Sequence, residues 1–250
     1  MTANRPGDPI TLNRLYGRAK GKPLRKGQQA LIETLLPRVA VPLEGPVTAQ
    51  LLFGDAPGKG RPLHFEIGFG GGEHLATRAD MLPDHLFIGA EPFLNGVAQA
   101  LVHVGGGDPR QKGGTNAALG NVRIHHGDAL EVLARIPDAA LSFVYLLHPD
   151  PWPKARHAKR RMINDGPLRL IAAKLKPGGE FRFGTDHPVY LRHALMVMRR
   201  FCTGPGADFE WQVDGPATWQ QRPGGWPETR YEAKARTLGH EVWYFRYRRR

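Results

Sequence analysis

Apolar and polar positions alternate in short runs along most of the chain beyond Leu63. Five of these runs are rich in β-branched and aromatic residues, and most are followed by a segment that can form a helix. Their sequences are LHFEIGF, HLFIGA, NVRIHH, LSFVYLL and EFRFGT. Strands that alternate with helices in this way usually pair in parallel, so the pattern predicts an α/β domain with a parallel sheet covered by helices.

The segments around this regular region have other patterns. Residues 28–36 form an apolar patch that is typical of a helix ending before Pro37. Near the C-terminus, DFEWQV and EVWYFRYR predict a closing pair of strands, separated by a long connection rich in Pro and Gly. Between the second and third strand runs, residues 105–120 are too rich in Gly and polar residues for a regular element, which predicts a surface loop or an insertion.

The N-terminal residues 1–24 contain Gly, Pro and basic residues without a hydrophobic period, which predicts a flexible basic arm. The remaining residues, 25–250, are enough for a single domain with a sizeable core. The formal net charge of the chain is +12. This excess favours an acidic polymer as partner, and a nucleic acid rather than a membrane, because binding phosphates uses many Lys and Arg side chains.

The chain has a single cysteine, Cys202, which excludes an internal disulfide and a cysteine-based zinc cluster. We expect no metal site, and the sequence implies no stable protein partner. The N-terminal MTANRPGDPI lacks the apolar part of a signal peptide, and no run approaches the roughly 18 apolar residues of a membrane span. We therefore expect a cytoplasmic protein that is not associated with membranes.

A run of glycines follows the first predicted strand, in FEIGFGGGEHL. Gly68 and Gly70 allow a ligand to approach the backbone closely at the carboxyl edge of the sheet. A dinucleotide-binding turn requires a third glycine at position 73, where this sequence has a glutamate that would be repelled by a pyrophosphate. The turn therefore disfavours NAD as the ligand.

Three acidic residues occupy the ends of three successive predicted strands. Glu66 can bind an amino group or ribose hydroxyls, Glu91 can bind ribose hydroxyls, and Asp128 can bind an adenine amino group. S-adenosylmethionine carries these groups and no phosphate, so the three acids together indicate a site for this methyl donor. Each acid taken separately has an alternative interpretation as a helix N-cap or a solvated strand end.

The fourth predicted strand leads into HPDPWPKARHAKRR, residues 148–161. Its prolines restrict the backbone on both sides of Asp150, which predicts a rigid acidic loop at the same edge of the sheet. Such a loop can orient a nucleic-acid base beside the methyl donor. Trp152 can either stack on that base or anchor the loop in the core.

The basic part of the same segment predicts contacts with the phosphates of a nucleic acid, in which arginine can bind two oxygens and lysine acts as a point charge. The alternative is a solvated basic start of a helix. The residues concerned are Lys154, Arg156, Lys159, Arg160 and Arg161.

Several motifs, in this order and at roughly this spacing, resemble those of the bacterial tRNA (guanine-N7-)-methyltransferase family. They are EIGFGGGEHL, the strand-end Glu91, GDAL, PDPWPKARHAKRR, LKPGGEFRFGTDHPVY and PETRYE. The N-terminal RLYGRAKGKPLRKGQ also resembles the start of that family, so the resemblance spans nearly the whole chain. The segment PDPWPKxRHxKRR is highly specific, whereas the glycine turn occurs in many methyltransferases. Pro92-Phe93 and residues 105–120 depart from the family's pattern.

The resemblance implies a Rossmann-like class I methyltransferase fold, with a mostly parallel seven-stranded sheet and helices on both faces. It also implies that S-adenosylmethionine is the cofactor and that tRNA is the partner, methylated at N7 of guanine 46 in the variable loop. Glu66, Glu91 and Asp128 match the donor-binding acids of the family, and Asp150 matches both a donor contact and the proposed catalytic residue. The positions that match substrate-binding residues are Lys154, Asp186, Thr229, Arg230, Tyr231 and Glu232.

Methylation of guanine N7 needs no general base, because N7 has an in-plane lone pair and no proton, so alignment of the reactants should dominate. A carboxylate can stabilise the positive charge that the base gains, and either Asp150 or Asp186 is a candidate. Asp186 follows the fifth predicted strand and can instead cap the next helix. A non-catalytic RNA-binding module with the same fold is the alternative function, and a methyltransferase for a small metabolite is a third, which the charge disfavours.

Overall fold

The computed structural model describes residues 21–54, 60–106, 120–213, 215 and 217–250, in which a seven-stranded sheet is flanked by helices. The strands are β1 (Leu63–Ile67), β2 (Leu86–Ala90), β3 (Val122–His125), β4 (Leu141–Leu147), β5 (Leu175–Thr185), β6 (Phe209–Trp211) and β7 (Trp243–Arg249). The helices are α1 (Lys26–Thr34), α2 (Leu36–Val39), α3 (Ala49–Phe53), α4 (Glu73–Met81), α5 (Leu94–Val104), α6 (Ala129–Arg135), α7 (Asp165–Lys174), α8 (Pro188–Cys202) and α9 (Arg230–Thr237). Short 3₁₀ helices span Ala155–Arg160 and Thr218–Gln220.

The strands lie in the order β3-β2-β1-β4-β5-β7-β6. Strands β1 to β5 pair in parallel, whereas β7 is antiparallel to both β5 and β6. The predicted Rossmann-like fold with a mostly parallel seven-stranded sheet is thereby confirmed. The predicted closing pair of strands is confirmed as well, because it consists of β6 and β7.

Both faces of the sheet are covered, since successive residues of a strand point to opposite faces. On one face, Phe65 of β1 belongs to a buried core that includes Ile171 of α7 and Val197 of α8. On the other face, Phe87 of β2 belongs to a second buried core with Val97 of α5. Burial on two sides explains why the central strands are continuous apolar runs in the sequence.

The parallel arrangement brings the turns after β1 to β5 to one edge of the sheet. Residues 148–164 separate β4 from α7, and this connection is longer than those from β1 to α4, from β3 to α6 and from β5 to α8. In doubly wound sheets, ligands bind at this carboxyl edge, outside the point where the strand order reverses. Here the order reverses between β1 and β4, so the glycine turn and the Asp150 loop are neighbours.

Two elements differ from their predicted bounds. β5 begins at Leu175 rather than near Glu180, and its register with β4 shifts because the added residues form an irregular start. Pro37 does not end the helical region, since it lies in the first turn of α2, where its missing N–H has no helical partner to lose.

The predicted basic arm and the predicted surface loop fall mainly on residues 1–20 and 107–119, which lie outside the described residues. At the described end of the arm, the N–H of Gly21 donates to Oδ1 of Asn95 (2.8 Å), and Nδ2 of Asn95 donates to the carbonyl of Lys22 (2.7 Å). Residues 21–22 are thus attached to the start of α5. The division into an arm and a single domain stays a prediction.

Candidate functional site

A cavity of about 630 Å³ opens at the carboxyl edge of the sheet. Its walls come from the turns after β1, β2 and β4, from the start of α6 and from α9. Cavities of this size hold small organic ligands. The predicted site residues that line it are Gly68, Gly70, Glu91, Asp128, Asp150, Arg160, Arg161 and Tyr231.

The glycine turn after β1 is pressed against the start of α5. Gly68 and Gly70 have φ angles of 68° and 58°, a region that glycine adopts without steric cost. A β-carbon on Gly96 of α5 would lie 2.4 Å from the carbonyl oxygen of Gly70. Glycines on both sides of this contact therefore allow the turn to approach the helix and leave its backbone open to the cavity.

Glu91 is 8% exposed and is held by two backbone N–H groups. Its Oε2 accepts a hydrogen bond from the N–H of Gly70 (2.7 Å), and its Oε1 accepts one from the N–H of Phe93 (2.9 Å). Burial raises the pKa of the Glu91 carboxyl, and the two hydrogen bonds oppose this rise because they favour the ionised form. A carboxylate has about four acceptor sites, so Glu91 can accept further hydrogen bonds from hydroxyl groups in the cavity.

Asp128 combines the two roles that the sequence left open. It is the N-cap of α6, where its Oδ1 accepts a hydrogen bond from the N–H of Leu130 (2.9 Å), and it also lines the cavity. Burial raises the pKa of the Asp128 carboxyl, and the hydrogen bond from Leu130 opposes the rise. The cap uses only one oxygen, so Oδ2 is available to a ligand.

Glu66 is buried beneath the glycine turn, and in the described part of the chain it is not among the residues that line the cavity. Its Oε2 lies 2.8 Å from Nδ1 of His74, in the first turn of α4. Nε2 of His74 is buried without a hydrogen-bond partner among the described residues. The pair fixes α4 to the end of β1, and the predicted contact of Glu66 with the donor stays a prediction.

The loop after β4 bends at two strained residues, one on each side of Asp150. His148 and Trp152 have φ angles of 49° and 41°, which are unfavourable for residues with a β-carbon, and each of them precedes a proline. The N–H of His148 donates to the carbonyl of Gly184 in β5 (2.8 Å), which fixes the first bend. Strain of this kind persists only where surrounding contacts hold the backbone.

Arg161 fixes the second bend. Its Nε donates to the carbonyl of Pro151 (3.1 Å) and its Nη2 to the carbonyl of Trp152 (2.8 Å). The side chain is buried, with the residue 5% exposed. The guanidinium is already bonded to the loop. Its placement therefore favours a structural role in the loop, rather than the phosphate contact that the sequence suggested.

Asp150 is exposed at the mouth of the cavity. Partial desolvation by the surrounding loop raises the pKa of its carboxyl. Asp150 and Glu91 line the same cavity, and the charge of Asp150 adds to the effect of burial in raising the pKa of Glu91. A cationic ligand between them would be stabilised by both.

Trp152 lies in the wall of the cavity and is half-buried, and it is not part of the core clusters found among the described residues. The guanidinium carbon of Arg160 lies 5.0 Å from its ring centroid, and the ring of His157 meets it edge to face at 5.8 Å. Of the two interpretations from the sequence, this position favours stacking on a base.

Three cations of the loop are exposed, and we call them the basic segment: Lys154, Arg156 and Lys159. They lie on or beside the 3₁₀ helix Ala155–Arg160, which directly follows the cavity-lining residues Asp150 and Trp152. Exposed cations in this position can meet phosphates of a nucleic acid. Their predicted phosphate contacts stay a prediction.

Asp186 lies behind the cavity wall. The alternative in which it caps α8 is wrong, because the cap is His187, whose Nδ1 accepts a hydrogen bond from the N–H of Val189 (3.2 Å). Oδ1 of Asp186 lies 3.4 Å from Nδ1 of His148, and Oδ2 lies 3.8 Å from Nδ1 of His240. Burial lowers the pKa of His148, and Asp186 opposes this effect.

The start of α9 presents two side chains beside the glycine turn. Thr229 caps the helix, since its Oγ1 accepts a hydrogen bond from the N–H of Glu232 (3.0 Å). Tyr231 is 46% exposed and lines the cavity. The guanidinium carbon of Arg230 lies 5.0 Å from the Tyr231 ring centroid, and its Nε lies 3.8 Å from Oε1 of Glu73.

Glu232 points away from this surface and is 2% exposed. Its Oε1 accepts hydrogen bonds from the hydroxyl of Tyr244 (2.5 Å) and from Nη2 of Arg236 (2.9 Å), and Nε of Arg222 lies 3.6 Å away. This placement favours a role in attaching α9 to β7 over the predicted contact with a substrate.

Two histidines of the site were not singled out from the sequence. His74 is the partner of Glu66, and His148 lines the cavity in front of Asp186. A lone histidine is compatible with many environments and has no pattern of its own. The position of His148 directly before PDPWP, between a strand and a proline-restricted loop, was the available signal.

Within the described ranges, no helix is long and apolar enough to cross a membrane. The same residues contain no group of three or more His, Cys, Asp or Glu side chains that could hold a metal ion.

Comparisons with known proteins agree with the geometry of the site. A family model described as a putative methyltransferase matches residues 60–245. The chain is 75% identical to a tRNA (guanine-N(7)-)-methyltransferase of Sphingopyxis alaskensis, over 100% of both chains. Proteins of the same name are 55% identical in Zymomonas mobilis, over 100% of both chains, and 41% identical in Rhodospirillum rubrum, over 98% of this chain and 91% of that protein.

Among solved structures, the 16S rRNA methyltransferase KamB aligns with a TM-score of 0.50 at 13% identity, over 92% of this chain and 98% of that chain. At this identity the likeness concerns the fold alone, and it agrees with the class I strand order. The family model and the full-length relatives identify the family as well as the fold. The chain belongs to the bacterial tRNA (guanine-N7-)-methyltransferase family.

Proposed function

We propose that this protein is a cytoplasmic enzyme that transfers a methyl group from S-adenosylmethionine to N7 of guanine 46 in the variable loop of tRNA. The observation that carries the proposal is the cavity at the carboxyl edge, which has Glu91 and Asp128 in its wall, Asp150 at its mouth, and the basic segment outside it. The names of the full-length relatives support the tRNA substrate.

The chemistry of the cavity wall suits the donor. When bound, S-adenosylmethionine supplies a methyl group on a positively charged sulfonium. Glu91 retains acceptor sites for ribose hydroxyls, and Oδ2 of Asp128 can accept from an adenine amino group. Gly68 and Gly70 have no β-carbon, so the backbone of the turn can approach a ligand closely. Glu66 contributes by fixing α4 beneath the turn and, as the family resemblance implies, by contacting the donor.

The Asp150 loop provides the acceptor side of the reaction. The carboxylate of Asp150 accepts hydrogen bonds from N1–H and the amino group of the guanine and stabilises the positive charge that the base gains. Alignment needs a fixed loop, which the contacts of His148 and Arg161 support. We assign the guanine contact to Asp150 because it lines the cavity, and we assign to Asp186 the positioning of His148.

The tRNA backbone is bound outside the cavity. Lys154, Arg156 and Lys159 are exposed and can pair with phosphates. Arg230 and Tyr231 are exposed at the start of α9, where Tyr231 also lines the cavity. Arg160 beside Trp152 can support a base that stacks on the indole ring.

The test is to incubate the purified protein with methyl-labelled S-adenosylmethionine and unmodified tRNA, and to digest the RNA to nucleosides. The proposal requires label in 7-methylguanosine. Retention of tRNA without any incorporated label would instead support the alternative, a non-catalytic RNA-binding module with this fold. Label in a small metabolite but not in tRNA would support the third function.

A further inference from the structure

A second concave site, which we call the second pocket, lies at the edge of β7 beyond the end of β6. Its volume is about 280 Å³. Strand β6 ends at Trp211, which pairs with Tyr247, so in the described chain the first half of β7 has no strand partner on this side. Residues from three segments line the pocket, including Trp211, Gln212, Trp219, Arg222, Tyr244 and Arg246.

One wall of the second pocket is aromatic. The rings of Trp211 and Trp219 have centroids 5.3 Å apart, and Trp219 meets Phe245 edge to face at 5.7 Å. Trp219 is half-buried, so part of its ring remains open to the pocket. A ring that is fixed by its neighbours can stack on a nucleobase, since every base has a π-face.

The other wall carries cations, of which Arg246 is the least compensated. In the pairing of β5 with β7, Arg246 lies directly across from Arg182, and like charges in this arrangement destabilise a sheet. Nε of Arg182 donates to Glu180 (2.8 Å), whereas Arg246 has no such carboxylate among the described residues. A bound anion beside Arg246 would relieve this repulsion.

Arg222 supplies a second guanidinium group to the lining of the pocket. It lies 3.6 Å from the buried carboxylate of Glu232, which also accepts a hydrogen bond from Arg236, and Arg236 lies 3.7 Å from Glu228. A guanidinium has five N–H donors, so Arg222 can bind a phosphate beside its contact with Glu232. Gln212 and Gln221 supply amide groups that can donate to and accept from a base.

Helix α9 connects the second pocket with the cavity. Tyr231 lines the cavity, and the next residue, Glu232, contacts Arg222 and Tyr244, which line the second pocket. The start of α9 is thus in contact with the linings of both sites. An RNA that places one base in the cavity and extends across the start of α9 can therefore bring a neighbouring nucleotide to the second pocket.

From these contacts we infer that the second pocket binds an unpaired nucleotide of the RNA substrate, with its base against Trp219 and its phosphate between Arg222 and Arg246. The inference rests on the proposed function, because the nucleotide belongs to the same RNA whose guanine enters the cavity. The pocket contributes to affinity for the RNA and to its placement across α9. It does not touch the donor or the reacting atoms.

The test compares Arg246→Gln with Arg199→Gln as its matched control. Arg199 lies in the last turn of α8, is exposed, and lines neither the cavity nor the second pocket. Arg246→Gln should raise the KM for unmodified tRNA and the Kd in filter binding about tenfold, with kcat and donor affinity unchanged. Arg199→Gln should stay within about twofold of wild type, and Arg246→Lys should restore most of the affinity.

Removing the charge of Arg246 lowers the repulsion with Arg182, so the variant should fold as well as wild type, which its thermal unfolding will check. Equal KM values for Arg246→Gln and wild type, or equal losses in both glutamine variants, would overturn the inference. Filter binding measures the affinity for tRNA even if the wild-type protein methylates no tRNA. Failure of the proposed function can therefore be told apart from failure of this site.

A second measurement locates the nucleotide. tRNA that contains 4-thiouridine is crosslinked to the wild-type protein by light, and the crosslinked peptides are identified by mass spectrometry. We expect crosslinks in the peptides that contain Trp219 or Tyr244, and their loss in Arg246→Gln. Crosslinks that are confined to the basic segment and Tyr231 would show that no nucleotide occupies the second pocket and would contradict the inference.

Discussion

Nη2 of Arg161 donates a hydrogen bond to the carbonyl of Trp152 at 2.8 Å. The last cation of the segment is thus bonded to the backbone of the Asp150 loop, with which the segment begins. The segment HPDPWPKARHAKRR therefore contains two kinds of cation. Arg161 is buried and fixes the backbone that carries Asp150, whereas Lys154, Arg156 and Lys159 are exposed. Substitutions that remove the same charge from the two kinds should have different consequences.

Arg161→Gln should lower the free energy of unfolding by about 1–3 kcal/mol, because it removes the hydrogen bonds of a buried side chain to two loop carbonyls. It should also lower turnover, since the Asp150 loop loses its support.

Lys159→Gln should leave stability within about 0.5 kcal/mol of wild type and lower the log–log salt slope of tRNA binding by about one unit. Urea unfolding and tRNA binding at several salt concentrations measure both effects. The same salt slope in Lys159→Gln and wild type would identify the basic segment as a solvated face.

Glu91→Gln should lower donor affinity and weaken its dependence on pH. Burial raises the pKa of Glu91, so its protonation on acidification begins at a higher pH than for an exposed glutamate, and the protonated form is a poorer acceptor. Donor affinity of the wild-type protein should therefore fall as the pH is lowered. The variant should retain only the dependence that comes from Asp128 and Asp150, whose pKa values are also raised. Titration calorimetry across a pH series measures the donor affinity of both proteins. Glu44→Gln, at an exposed position, is the control. If the pH profile of Glu91→Gln matches that of wild type, Glu91 is not the titrating group.

Glu66→Ala should lower the free energy of unfolding by about 1–3 kcal/mol, because the buried ring of His74 loses the acceptor for Nδ1. Glu66→Gln keeps an acceptor in place and should cost less. Urea unfolding compares the two variants, and donor binding is measured beside it. If Glu66→Gln lowers donor affinity at nearly unchanged stability, Glu66 contacts the donor directly. Unchanged stability of Glu66→Ala would show that the Glu66–His74 pair does not hold α4.

Asp150→Asn should lower the single-turnover rate of methyl transfer on the order of 10²-fold, with smaller changes in the binding of donor and tRNA, because it removes charge and keeps shape. Asp186→Asn should have a weaker effect, since Asp186 contacts His148 and His240 behind the cavity wall. Rapid-quench measurements with saturating enzyme compare the two variants. A large loss in Asp186→Asn with a near wild-type rate in Asp150→Asn would exchange the two assignments.

The positions of strands β1 to β4 and of the acids at the strand ends followed from the sequence, because periodicity and glycine turns are local signals. Glu91 and Asp128 could be predicted in the same way, since parallel strands end at one edge and their last residues must meet there. The direction of a side chain is not a local property. Arg161 and Glu232 were counted with their charged neighbours, yet each turns inward and bonds to backbone or buried groups.

The second pocket had no signal in the sequence. Trp211, Trp219, Arg222 and Arg246 come from separate parts of the C-terminal region, and only the antiparallel insertion of β7 between β5 and β6 brings them together. The partner of Glu66 was missed for a related reason. A glutamate at a strand end predicts a polar contact, but it does not specify whether the contact is a ligand or a buried histidine.

The most direct test of the account is to map the methyl group on the tRNA. Unmodified tRNA is methylated with labelled S-adenosylmethionine, cut by a base-specific ribonuclease, and its fragments are sequenced by mass spectrometry, with a transcript that carries adenine at position 46 as the control. The account predicts one added methyl group on guanine 46, on the N7 atom, and none on the control transcript. Methylation of the control at the wild-type rate, or a methyl group on another atom or base, would contradict it.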